Sequence, residues 1–265
     1  MKTPTKSRRR PGAISPNSVP SVPPWFNLRS QPRGSGGNKT TEARRSRRES
    51  KDGIGKLVEL LMRRSRRGGG LFFITGTDTG VGKTWLTCAL LVEFRRRGIS
   101  AAGFKPICCG DREDAQRLWK LSGGGLTLDM VNPIHLRHPV APVAQKCPSW
   151  STLLRKIRGA LFEIRKRNIR IVLVEGAGGL LCPIARKHTM RDLAKALGGP
   201  MVIVARDRLG VLNHTLLTLE AAGRQGCIAL VLTRFGKTKD SSQQSNAKVL
   251  RSRVSVSIHE VGIRG

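Results

Sequence analysis

Residues 71–84 read LFFITGTDTGVGKT, an apolar run followed by a glycine-rich turn that ends in Gly82-Lys83-Thr84 at the start of a helical pattern. Gly76, Gly80 and Gly82 let the backbone curl. Successive N–H groups along Asp78, Thr79, Gly80, Val81 and Gly82, with the helix N-terminus behind them, can then face an anion. The helix dipole disfavours a cation at this end, so Lys83 needs an anionic partner to explain it. In a phosphate-binding loop that lysine reaches the β- and γ-phosphates, and the Thr84 hydroxyl ligates Mg2+. Five residues separate Gly76 from Gly82, one more than in the commonest loops of this kind. The segment is read as a slightly longer relative of that loop.

Mg2+ carried on a nucleotide usually takes a carboxylate as well as the loop hydroxyl. Glu175 follows the apolar residues 171–174 and opens a second glycine-rich turn through Gly176, Ala177 and Gly178. The carboxyl end of a strand is where open α/β sheets bind ligands, and an apolar core would not tolerate an unpaired carboxylate there. A further apolar run, 101–104, ends in Lys105-Pro106 and leads to Cys108, Cys109 and the acidic residues Asp111, Glu113 and Asp114. A lysine in that place, beside a nucleotide, can neutralise charge on a transferring phosphate.

These groups need a scaffold, and the pattern after residue 70 supplies one. Strand-like runs at 71–75, 101–105, 169–174, 200–205 and 228–233 alternate with helical patterns at 84–97, 113–121, 190–197, 211–222 and 241–251. A last strand is expected at 254–259. Such alternation implies crossover connections and a doubly wound α/β domain over 71–265, with a mostly parallel sheet covered on both faces. Residues 1–70, rich in Pro, Ser, Gly and Arg, are expected to be a disordered basic extension. Within it, residues 54–62 have helical spacing ahead of an arginine cluster.

The 265 residues carry 49 Lys and Arg against 17 Asp and Glu, a net charge of +32, of which residues 1–70 contribute +14. No apolar run approaches the ~20 residues needed to cross a bilayer, and no secretory signal pattern is seen. Six cysteines without a C-x-x-C pair suit free thiols in a reducing, cytoplasmic setting. The five histidines lack the spacing of a zinc site. With no tyrosine and 4% aromatics, a surface for stacking single-stranded nucleic acid is a poor reading, although a basic tail alone gives phosphate affinity.

Taken in order, GTDTGVGKT (76–84), AGFKPICCG (102–110), Asp114, VNPIHLRHPVAP (131–142), VEGAGG (174–179) and LGVLNHTLLT (209–218) resemble the dethiobiotin synthetase family. The resemblance implies a P-loop fold and ATP-dependent conversion of 7,8-diaminononanoate and CO2 to a cyclic urea, through a carbamate and a carbamic-phosphoric anhydride. It implies that Lys83 and Lys105 contact phosphate and carbamate, and that Thr84, Asp114 and Glu175 hold Mg2+. It places Cys109, Gly178, Gly210 and Asn213 near substrate and Thr233 near the base, in a homodimer whose interface adjoins the acyl tail. Cys109 stands where the family often has Ser or Thr, Val143 where many members have His, and Thr233 where an Asn typically reads adenine. Thr cannot make that two-sided amide pattern. A partition-type ATPase acting with DNA or a protein partner is the alternative, although Thr77, Asp78 and Thr79 fill the stretch where those proteins carry an extra lysine.

Overall fold

A computed structural model describes residues 39–68, 70–223, 226–236 and 240–263. The chain runs α1 (Lys39–Gly68), β1 (Leu71–Gly76), α2 (Lys83–Arg96), β2 (Ala101–Phe104), β3 (Ile107–Cys109), α3 (Glu113–Leu121) and α4 (Leu128–Val131). It continues through β4 (Ile134–Leu136), α5 (Trp150–Arg165), β5 (Ile171–Glu175), β6 (Pro183–Ala185), β7 (His188–Thr189) and α6 (Met190–Leu197). The last elements are β8 (Met201–Arg206), α7 (Val211–Ala222), β9 (Cys227–Phe235), α8 (Asn246–Arg253) and β10 (Ser257–Ile263).

Six strands form one sheet in the order β10-β9-β8-β1-β5-β2, every pair parallel. The central strands are continuous apolar runs because both faces are covered: all of β1 and β5 is buried. From β1 the chain winds toward β2 on one side, and from β8 toward β9 on the other. The reversal falls at the neighbouring strands β1 and β8, and their carboxyl ends open the crevice in which such sheets bind ligands. The expected doubly wound α/β fold is what the chain adopts.

The reading of residues 1–70 as disordered is corrected for α1, while residues 1–38 lie outside the described residues. Ile54, Leu57, Val58 and Leu61 recur at helical spacing and are buried against β10 and α2. Gly53 approaches β10 so closely that a Cβ there would lie 2.6 Å from the Glu260 carbonyl oxygen. Arg97 at the end of α2 donates to the Gly55 carbonyl and reaches Glu59 at 3.9 Å. Averaged over 70 residues the composition looks too polar to fold; a four-residue apolar stripe suffices once a sheet surface is there to receive it. The last strand begins at Ser257, later than expected, because Val254 closes α8 through its N–H to the Leu250 carbonyl.

His259 lies under this helix, its Nε2 2.9 Å from the Ser257 hydroxyl. Burial holds the imidazole below its ordinary value against an opposing hydrogen bond that the ring donates to the Gly53 backbone, and Lys56 and Arg251 add to the depression. The unfolded chain therefore binds this proton first: the contribution is intact above about pH 6.5 and is lost as pH falls through the folded value. Melting temperatures from about pH 7.5 to about pH 5 are expected to fall more steeply for the native chain than for His259→Gln. Parallel curves would remove His259 from that role.

Candidate active site

The loop after β1 folds back on itself over the start of α2. Gly82 is left-handed at φ 96°, and a Cβ on it would meet Ile263 Cδ1 at 2.7 Å and Phe235 Cζ at 3.1 Å. A side chain there is excluded twice, by conformation and by the floor formed from β9 and β10. The second glycine turn presses on the first: the Leu180 N–H donates to the Gly76 carbonyl, and a Cβ on Gly179 would lie 3.2 Å from the Thr77 carbonyl oxygen. Residues about a hundred apart in sequence thus form one cradle.

Lys83 is 6% exposed, and its Nζ donates to the Asp78 carbonyl of the same loop at 2.7 Å. Burial, then the charge of Lys105, lowers its pKa to about 8. The ammonium faces the space curled round by the loop and lacks a carboxylate partner within bonding distance among the described residues. An anion entering the cradle would supply one.

Three elements bring the remaining groups together. Glu175, the last residue of β5, is fully buried; its Oε1 accepts from the Thr84 hydroxyl at 2.8 Å and from Lys105 Nζ at 2.5 Å. Lys105, just past β2, also reaches Asp114 Oδ2 in the first turn of α3 at 3.1 Å. Burial alone would lower the Lys105 pKa, but Glu175 and Asp114 outweigh it and hold the ammonium above its ordinary value. Burial acts upward on Asp114, and Lys105 outweighs it, so that carboxyl stays below its usual range. Lys105 is therefore a permanent cation and Asp114 a permanent anion at neutral pH.

Glu175 Oε2 is buried without any hydrogen-bond partner. A buried carboxylate oxygen left unmatched is costly, and its position beside the Thr84 hydroxyl and Asp114 marks it as waiting for a ligand. Two carboxylates and one hydroxyl are hard oxygen donors, too few to enclose a metal alone. That incomplete set suits Mg2+, which takes its other ligands from phosphate and water. No group of three or more His, Cys, Asp or Glu that could hold a metal is found among the described residues.

A family model described as an AAA domain matches residues 71–258. The chain is 42% identical over 182 residues to the ATP-dependent dethiobiotin synthetase of Anaeromyxobacter dehalogenans, covering 66% of this chain and 81% of that one. It belongs to the dethiobiotin synthetase family. The synthetase of Akkermansia muciniphila is 37% identical over 171 residues, with 64% and 79% of the two chains covered. That of Methanocaldococcus jannaschii is 38% identical over 161 residues, with 59% and 75% covered.

Not every residue expected at a synthetase site faces this cradle. Thr233 is fully buried, and its hydroxyl points to the Val81 carbonyl at 2.7 Å and the Ala205 carbonyl at 3.2 Å. In this arrangement its one proton is spent holding the phosphate loop from beneath. Cys109 ends β3 half-buried, with burial and then Cys108 raising its thiol to about 11, so it is a neutral group. Gly178, left-handed at φ 65°, brings the second turn against Cys182. Gly210 caps α7, and Asn213 is exposed in its first turn. The sequence reading missed α5, whose Leu153, Ile157, Leu161 and Ile164 follow a Ser149 cap bonded to the Thr152 N–H. Those apolar positions at helical spacing were a usable signal.

Proposed function

We infer that this chain uses ATP to carboxylate 7,8-diaminononanoate with CO2 and to close the product to dethiobiotin. The observation that carries the reading is the Thr84–Glu175–Lys105–Asp114 constellation set beside Lys83 in the phosphate loop. One amine attacks CO2, forming a C–N bond and losing a proton to give a carbamate. A carbamate oxygen takes the γ-phosphoryl group from ATP, releasing ADP, and the second amine then attacks the carbonyl carbon, expelling phosphate and closing the cyclic urea. Such chemistry needs positioned charge and no nucleophilic side chain.

Lys105, kept protonated by its two carboxylates, offers a fixed positive charge to the carbamate. Lys83 exchanges the Asp78 carbonyl for phosphate oxygens. Thr84, Asp114 and Glu175 would hold Mg2+, which when bound neutralises charge on the phosphates. The exposed Leu209, just before α7, and Leu216 and Leu217, midway along it, fit a homodimer that brings the substrate tail to the interface. Among the described residues no helix is long and apolar enough to cross a membrane, and the six cysteines are free thiols, as a reducing cytoplasm would keep them.

The test is phosphate release with Mg2+-ATP and bicarbonate, with and without the diamine, while the urea is followed by mass spectrometry. Equal phosphate and urea, both dependent on the diamine, is the expected result; phosphate release indifferent to the diamine would overturn the reading. For Glu175→Gln, the Mg2+ concentration giving half-maximal rate is expected to rise by about 10–100-fold. An unchanged Mg2+ dependence would take Glu175 out of the metal site.

A further inference from the structure

A helix that leads into a strand of a parallel sheet through a short turn has its carboxyl end beside that strand's amino end. So it is for α1 and β1, α2 and β2, α5 and β5, and α6 and β8, whose turns lie at the end of the sheet opposite the phosphate loop. Close approaches join the four turns. The Arg170 N–H donates to the Ser100 carbonyl at 3.1 Å, Gly70 stands against the Arg170 carbonyl, and a Cβ on Gly199 would lie 2.5 Å from the Leu71 carbonyl oxygen. The neighbouring starts of β8, β1, β5 and β2 span roughly 15 Å.

Arg63, Arg64 and Arg66 leave the last turns of α1 at this end, and Arg165, Arg167 and Arg170 flank the turn into β5. All six are exposed, and no carboxylate of the described residues forms an ion pair with them. The acids nearby are already matched, Glu93 by Arg96 and Arg97 and Glu163 by Lys166. The helix dipole explains one cation at a carboxyl end. It does not explain three arginines within four residues of α1, nor a second trio meeting them, because like charges so placed repel. A polyanion laid across the face would reverse that repulsion.

Two features choose among polyanions. All six side chains are arginines, whose planar fork pairs with phosphate oxygens two at a time. The apolar sides of α1 and α5, with Leu57, Leu61, Ile157 and Leu161, are buried in the core and leave no hydrophobic stripe to enter a lipid surface. The exposed Phe162, one turn back on α5, has Lys166 Nζ over its ring at 4.5 Å.

We propose that this face binds the sugar–phosphate backbone of a nucleic acid without regard to sequence, leaving the phosphate loop at the other end of the sheet open. The binding is independent of the synthetase reading. The full chain would be titrated into two labelled DNA duplexes of about 20 base pairs and unrelated sequence, at salt between about 50 and 200 mM, with anisotropy as the readout. The two affinities are expected to agree within about threefold and to fall steeply with salt. Arg63→Gln, Arg64→Gln and Arg66→Gln together, and Arg165→Gln, Arg167→Gln and Arg170→Gln together, should each weaken binding by about tenfold or more and flatten the logarithmic salt slope by about two to three. Arg8→Gln, Arg9→Gln and Arg10→Gln together should leave the affinity within about threefold of native.

Unchanged affinity and salt slope in both face variants would overturn the proposal, as would a loss confined to the variant at residues 8–10. Preference for one duplex by about 100-fold or more would refute binding through the backbone alone. Vesicles of one part phosphatidylserine to three of phosphatidylcholine that capture the native chain, under conditions where both duplexes stay free, would assign the face to lipid instead. If one trio of substitutions unfolds the chain, the other carries the test by itself.

Discussion

The Lys83→Ala variant is expected to form the cyclic urea about 10³-fold more slowly than the native chain, a loss typical of removing one preorganised charge from a phosphoryl-transfer site. Lys83 is buried, so water cannot fill in for its ammonium, and its hydrogen bond among the described residues is to the Asp78 carbonyl, which phosphate oxygens would replace. The fold has little invested in it. Removing a desolvated cation that lacks a carboxylate partner should leave the melting temperature equal or raised, even as turnover collapses. Lys105→Ala offers the contrast: it would leave the fully buried Glu175 uncompensated and is expected to cost about 3–5 kcal/mol of stability as well as activity. Single-turnover rates and thermal melts on both variants check this. A Lys83→Ala rate within tenfold of native would refute the assigned role.

The second large effect concerns α1. Leu57→Ala is expected to cost about 2–5 kcal/mol, the usual result of truncating a fully buried leucine. A chain of this size should then melt lower by on the order of 10 °C. Removing the chain through Gly68 would strip the cover from β10, whose Ile263 packs beneath Gly82 of the phosphate loop. That truncation should not yield a folded, nucleotide-binding protein. Arg63→Ala, on the exposed side of the same helix, should melt with the native chain. A Leu57→Ala variant as stable as the native protein would show that the helix is dispensable.

The sequence made the central strands and the phosphate loop legible because each is a local pattern: an unbroken apolar run, then glycines and Lys-Thr at fixed spacing. Glu175 and Lys105 were visible for a related reason, since a charge at the end of a buried strand needs an explanation that its neighbours do not supply. What stayed hidden depended on partners far along the chain. The fate of the Thr233 hydroxyl is decided by the Val81 carbonyl, 152 residues away. The stripe on α1 means little until β10 is placed beside it, and the contact of the Arg206 guanidinium with the Phe235 ring joins two strands whose adjacency no local motif reveals.

The pairing of α1 with β10 also orders events during synthesis. The helix is made before any strand of the sheet, yet the strand it covers is the last, with 188 residues between Gly68 and Ser257. At ~5–20 residues per second, a ribosome takes roughly 10–40 s to deliver that partner. Until then Leu57, Val58 and Leu61 have no β10 to pack against, and the floor beneath Gly82 is incomplete. Chains released early by a premature stop would therefore carry a finished nucleotide motif on an unclosed domain, and should be cleared by proteases rather than persist as idle ATP binders.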